Sequence, residues 1–214
     1  TDPLYREVTL RTILVALSVT VIDAVVAFPM AFYMAKIASP RTRAFFLVAV
    51  TTPLWASYLV KAYAWRVLLE PHGPIDIVTG GHSPGYGLPA TVITLAYLWL
   101  PYMIIPLFAG FDRVPSSLVE ASADLGASTG RTVRSVILPL VFPAIAAGSI
   151  FTFSLSLGDY IAVQIVGGRN QLLGNLIQTN VGAANNLPMA AAIATIPVAV
   201  MVVYLLAIRR TGAL

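Results

Sequence analysis

Five stretches of this chain stay apolar long enough for a helix to cross a bilayer, which takes about 20 residues. They run roughly Thr12–Ala35, Ala44–Leu69, Leu88–Phe111, Ile137–Leu157 and Met189–Ile208. In lipid only helices and closed barrels satisfy every backbone amide. Short segments of alternating polarity are absent, so the barrel is rejected. The pattern predicts an all-α membrane protein, a polytopic bundle of five spanning helices.

Three polar insertions interrupt the apolar runs. Glu70–Gly87 is rich in Gly and Pro and reads as irregular backbone or a short re-entrant turn. Residues 158–188 are too polar to span; Ile165, Leu172, Leu173, Leu176 and Ile177 predict one short amphipathic helix lying near the membrane surface. The third insertion covers residues 112–136. There Ser117 and Glu120 have capping-box spacing, Pro115 favours an extended lead-in, and Gly126 permits the turn that ends a short helix. Leu118, Ala121 and Leu125 share one face of that helix, with Ala127 just beyond, while Glu120 and Asp124 make an acidic edge. The small residues Ala121, Ser122 and Ala123 allow close approach of another surface. The segment reads as a docking helix beneath the membrane.

Composition agrees with a membrane setting. The chain is 58% hydrophobic and 10% charged with mean hydropathy +0.84, against roughly 25% charged in soluble domains. A length of 214 residues fits one domain, 1–214. The absence of Cys excludes disulfides and thiolate metal sites. A start at Thr1 leads us to expect one further helix upstream. The net charge of +4 is explained by topology rather than nucleic acid. Lys36, Arg41, Arg43, Arg113, Arg131, Arg134, Arg209 and Arg210 fall on one side of the five-span scheme. By the positive-inside rule that side is cytoplasmic. It contains segment 112–136 and the C-terminus, and 158–188 is then extracytoplasmic.

Charges inside a bilayer are functional candidates. Asp23 falls near the middle of the first span, as path lining or as a partner for a neighbouring helix. Lys61 and Arg66 can snorkel from the second, and Tyr58, Tyr63 and Trp65 on it are interfacial anchors or path walls. Asp159 and Tyr160 end the fourth span at its outer mouth. Pro29, Pro53, Pro101, Pro106 and Pro143 can bend helices. The stretch GASTGRT lacks the spacing and the Lys of a phosphate-binding loop. His72, Asp76 and His82 read as a solvated loop ahead of a metal site. No motif supports an enzyme.

The segment Glu120, Ala121, Ser122, Gly126, Val136, Leu138, Pro139 resembles the EAA loop of bacterial ABC-importer permeases, with Ser122 and Val136 as mild departures. The resemblance extends through FPMAFYMAK, TTPLWASYLVKAYAWRVLL, DRVPSSLVEASADLGAS and GDYIAVQIVGG, which look like the first permease subunit of spermidine/putrescine importers. It implies the type I importer permease fold in the bacterial inner membrane. It also implies a second permease subunit, two cytoplasmic ATPase subunits that bind the ATP and Mg, an extracytoplasmic substrate-binding protein, and a small-molecule substrate. This chain then needs no cofactor and touches no nucleic acid. The resemblance makes Ser117, Leu118, Glu120, Ala121, Asp124, Leu125, Gly126 and Ala127 the ATPase-coupling residues. A polyamine path calls for carboxylates and aromatic faces, for which Asp23, Trp65, Trp99, Asp159 and Tyr160 are candidates. Thiamine, ferric ion, sulfate or a sugar are alternative cargoes. An ion-gradient transporter and a structural scaffold are the other readings; copurified ATPase and permease partners would discriminate them.

Overall fold

The computed structural model describes residues 3–209, and its path is set by where proline and extended residues interrupt the apolar runs. Arg210, counted above among the basic residues after the last span, lies outside the described residues. Helix α1 (Pro3–Phe32) continues into a π-helical turn, Tyr33–Ile37, closed by the Ala38 amide on the Tyr33 carbonyl at 2.9 Å. Pro40 holds Ser39 extended, and the Ser39 hydroxyl accepts the Thr42 amide at 3.3 Å to start α2 (Pro40–Trp55).

The expected continuous helix over Ala44–Leu69 is corrected here. Helix α2 stops at Trp55, Ala56 is extended, and α3 (Tyr58–Leu69) leaves at 97°. Pro53 has no amide to give the Ala49 carbonyl, which weakens the last turn of α2. The Lys61 ammonium donates to the Pro53 carbonyl at 2.9 Å, occupying an acceptor near the break. Lys61 thus caps a broken helix rather than simply snorkelling. Trp55 stands at the corner, 91% exposed.

After the short α4 (Pro74–Val78) come α5 (Leu88–Asp112), α6 (Ser116–Asp124) and α7 (Thr129–Thr132). A second π-helical turn, Val133–Ile137, joins α7 to α8 (Leu138–Gly158), so the fourth apolar segment is helical from Thr129, earlier than its hydropathy predicts. Pro139 cannot donate an amide to Ser135; the wider register carries the chain through, with the Leu138 amide on the Val133 carbonyl. Helices α9 (Ile161–Val166), α10 (Leu173–Val181) and α11 (Leu187–Ile208) complete the chain. Among the described residues, four helical segments are long and apolar enough to cross a membrane, and the count is five if the bent α2–α3 pair is taken as one broken span.

Helices α1, α5 and α8 pack on one another to form the centre. Ala27, Ala31, Met34, Leu107, Phe111 and Val141 fill the end next to α6, while Val15, Val19, Leu95, Leu98, Ala162 and Leu172 fill the opposite end. Helix α8 crosses α5 closely at two glycines. A Cβ on Gly110 would collide with the Ala144 Cβ, and one on Gly148 would lie 2.6 Å from the Met103 Sδ. Small residues at such crossings are how helices associate where lipid is as apolar as the protein.

Residues 158–188 depart from the expected surface helix. They form two helices, α9 and α10, and Leu172 and Leu173 are fully buried. The physical reason is a set of polar ties that periodicity does not reveal. The Leu173 amide donates to Thr12 Oγ1 at 3.0 Å, and the Leu172 amide to Asn175 Oδ1 at 3.2 Å. Asn175 Nδ2 donates to the Tyr160 carbonyl at 3.1 Å. The segment is thereby tied to the first helix instead of lying on the surface.

Candidate functional site

The segment after α5 is moored to the bundle on one face and free on the other. Lys36 Nζ, from the π-helical turn after α1, donates to the Val114 carbonyl at 2.6 Å just ahead of α6. Val119 packs on the core formed by Phe111, Val114 and Ile137. The Ser122 and Thr132 hydroxyls are 2.9 Å apart and tie α6 to α7. Val119 and Ser122, three apart, are therefore the inward face.

The adjoining face carries Leu118 at 42% and Leu125 at 89% exposure, with Ala121 exposed between them. The helical spacing read from the sequence thus places these three residues together, pointing away from the protein. Glu120 and Asp124 are exposed beside them, Ser117 is exposed, and Ala127 is half-buried. Glu120 also lines a recess of about 220 Å³ shared with Lys36 and Phe32.

The expected capping box does not form. Helix α6 begins two residues earlier, with Pro115 at its N-cap and no side-chain bond to its first amides. Proline fixes the entry and supplies no acceptor, so Ser117 falls inside the first turn. The other end matches the expectation. Gly126 adopts φ +76°, the Ala127 amide reaches the Ser122 carbonyl at 3.1 Å, and the Gly126 amide the Ala123 carbonyl at 2.8 Å. Those two bonds define a Schellman end, which favours glycine at the left-handed position.

A second feature lies at the opposite end of the bundle. Asp159, just past α8, accepts the Ala162 amide on Oδ1 at 2.9 Å and the Tyr58 hydroxyl on Oδ2. It is only 9% exposed. Around it Tyr58, Trp99, Ser154, Tyr160 and Ile161 line an open recess of about 330 Å³. The Tyr58 and Trp99 rings lie 5.8 Å apart, and Trp99 is 6.0 Å from Tyr102. The Trp99 Nε1 is buried and has no hydrogen-bond partner among the described residues. One carboxylate with several aromatic faces suits a cation on an apolar stem.

Three of the five path candidates, Trp99, Asp159 and Tyr160, meet in this recess. Trp65 does not: it packs against Tyr97 at 5.4 Å in a separate cluster with Leu69, Ala90 and Val166. Asp23 does not either. It is fully buried within α1, and neither carboxyl oxygen has a partner among the described residues. One turn away Thr20 Oγ1 accepts from Thr152 Oγ1 at 3.5 Å, so this face of α1 looks into the bundle. Arg66 stays at the edge, 5.5 Å over the Tyr86 ring.

Lys36, Val119, Ser122 and Asn175 are not among the candidate site residues that the sequence offers, and Tyr58, expected as an interfacial anchor or path wall, is the partner of Asp159. Val119 and Ser122 were recoverable as the complement of the Leu118–Ala121–Leu125 stripe. Lys36 and Tyr58 act on residues 78 and 101 positions away, which no local pattern signals. In the loop holding His72 and His82, Asp76 accepts the Ser83 amide at 3.1 Å and the His72 amide at 3.0 Å. Those two amides, Ser83's first, hold its carboxyl below the usual carboxylate range.

A helix bundle with a small moored helix at one end and an acidic, aromatic recess at the other is the frame of a membrane transport subunit. The chain belongs to the binding-protein-dependent transport system inner membrane components, whose family model matches residues 9–210. It is 44% identical to the inner membrane ABC transporter permease protein YdcU of Escherichia coli K12, over 99% of this chain and 74% of that protein. It is 32% identical to the spermidine/putrescine transport system permease protein PotB of Haemophilus influenzae, over 90% of this chain and 70% of that one. Among solved structures it resembles a bacterial ABC transporter that imports the polysaccharide alginate, with TM-score 0.68 at 16% identity, covering 95% of this chain and 78% of that one. The MetNI methionine ABC transporter in an inward-facing form matches with TM-score 0.65 at 16% identity, over 100% of this chain and 99% of that one. The expected fold class is therefore correct, and the chain is a multi-pass ABC-importer permease of the inner membrane.

Proposed function

We propose that α6 seats in a cytoplasmic ATPase subunit, that a second permease completes the path, and that the Asp159 recess is this chain's contribution to a route for polyamines. The observation that carries this reading is the exposed Leu118–Ala121–Leu125 stripe on a helix whose other face is anchored through Val119 and Ser122. A helix held this way transmits a push to α1 through Lys36 and to α8 through Thr132, whereas a floppy loop would absorb it. The basic residues at the α6 end support placing it in the cytoplasm, which puts the recess at the outer mouth. ATP and Mg then bind to the partner, and this chain hydrolyses nothing. ATP-driven closure of the partners moves α6 and opens the bundle toward a substrate-binding protein; hydrolysis resets it.

Polyamine cargo is supported by the recess chemistry and by the relatives named for spermidine and putrescine. The anion of Asp159 and the faces of Trp99 and Tyr160 suit ammonium groups spaced along a methylene chain. The test is uptake by the assembled complex in vesicles, with labelled spermidine and putrescine against thiamine, ferric ion, sulfate and sugars. Uptake of a polyamine, with an ATPase and a second permease copurifying, is the expected result. Transport of another solute alone would overturn the cargo. Copurification with no ATPase would overturn the coupling role.

A further inference from the structure

Along the outside of the bundle, between α1 and α5, runs an open apolar groove of about 750 Å³. Its walls are Leu10, Leu14 and Ile22 on one side and Leu88, Val92 and Ile93 on the other. Leu10, Leu14, Ile22 and Ile93 are 59%, 63%, 40% and 39% exposed, so nothing among the described residues covers them. The charges that line it sit together at one end: Arg11 Nη2 lies 2.5 Å from Glu7 Oε1, one helical turn away.

Two dimensions fit this groove to one leaflet of a bilayer. From Arg11 to Ile22 the helix rises about 16 Å at roughly 1.5 Å per residue, and half the hydrocarbon core of a membrane is about 15 Å. Arg11 also immediately precedes the apolar stretch beginning at Thr12, so the charged pair stands at head-group level. A second helix is a poor occupant, because helix contacts in lipid use small residues, and the walls here are mainly Leu, Val and Ile.

We infer that the groove holds one phospholipid with a zwitterionic phosphoethanolamine head group. Its phosphate meets the Arg11 guanidinium, whose planar fork suits phosphate oxygens. Its ammonium meets the Glu7 carboxylate, and one acyl chain lies along Leu10, Leu14 and Val92. The head group inserts into an existing ion pair with alternating sign, so neither side chain is left uncompensated. A lone arginine would favour an anionic lipid; the adjacent Glu7 repels one.

The test is mass spectrometry of the complete transporter, extracted in mild detergent from membranes of mixed phosphatidylethanolamine and phosphatidylglycerol. One retained phosphatidylethanolamine is expected, reduced about tenfold by Arg11→Gln, a difference of roughly one decade in affinity. Glu7→Gln should abolish the preference over phosphatidylglycerol. Leu14→Trp, which fills the groove without touching a charge, should expel the lipid while the complex assembles at normal yield. Retention indifferent to all three changes, or a preference for phosphatidylglycerol in the unaltered protein, overturns the proposal. So does efficient crosslinking of Leu14→Cys to another polypeptide in the membrane.

Discussion

Gly126 offers a way to separate strain inside this chain from contact outside it. It ends α6 at φ +76°, and a Cβ built there meets nothing within 4 Å. Any L-residue at this position incurs about 1–2 kcal/mol for the left-handed conformation, and Asn somewhat less because its short polar side chain tolerates it. Since the direction of the side chain is open, that penalty should be nearly the same for Gly126→Ala and Gly126→Leu. Thermal unfolding of the purified chain should therefore rank glycine first, then Asn, with Ala and Leu together below. ATP-driven uptake in vesicles should rank them differently. The Ala variant should retain most transport and the Leu variant should lose it, because only the longer side chain reaches the surface that receives α6. Equal uptake by the Ala and Leu variants would show that no partner lies close to Gly126. A Leu variant much less stable than the Ala variant would refute the open geometry itself.

Further outcomes follow from other contacts. Gly110→Ala drives a methyl into Ala144 and should destabilise the α5–α8 crossing by about 1–3 kcal/mol, as overpacking does; Ala144→Gly should restore the melting temperature in the double variant. Tyr58→Phe removes the hydroxyl donated to Asp159 and should weaken cargo recognition about tenfold in the KM of uptake, the value of one charge-assisted hydrogen bond, with membrane insertion unchanged. Ser122→Ala breaks the tie to Thr132 and should cost about 1 kcal/mol, seen as faster amide exchange in α6 with the spans unaffected. Asp76 has a folded pKa below its ordinary 3.8, so its bonds to the Ser83 and His72 amides stabilise the loop fully above that value. They should be lost as the pH falls through the lower folded pKa, read as accelerated exchange of those two amides.

Features that depend on composition and local spacing are legible along the chain. Runs of about 20 apolar residues require spanning helices because lipid offers backbone amides no partner. The Leu118, Ala121, Leu125 spacing requires a shared helical face, and Gly126 requires a left-handed end. Features that rest on a partner far along the chain emerge only on folding. The bend after Trp55 is supported by Lys61 on the Pro53 carbonyl, and the folding-in of α10 depends on Thr12 meeting Leu173, 161 residues later. Asp159 and Trp99 became one site, and Trp65 and Asp23 fell outside it, only through the way α3, α5 and α8 pack. Hydropathy reports how much apolar surface a segment must bury; which polar atoms meet across the bundle is a matter of packing, and no period along the chain encodes it.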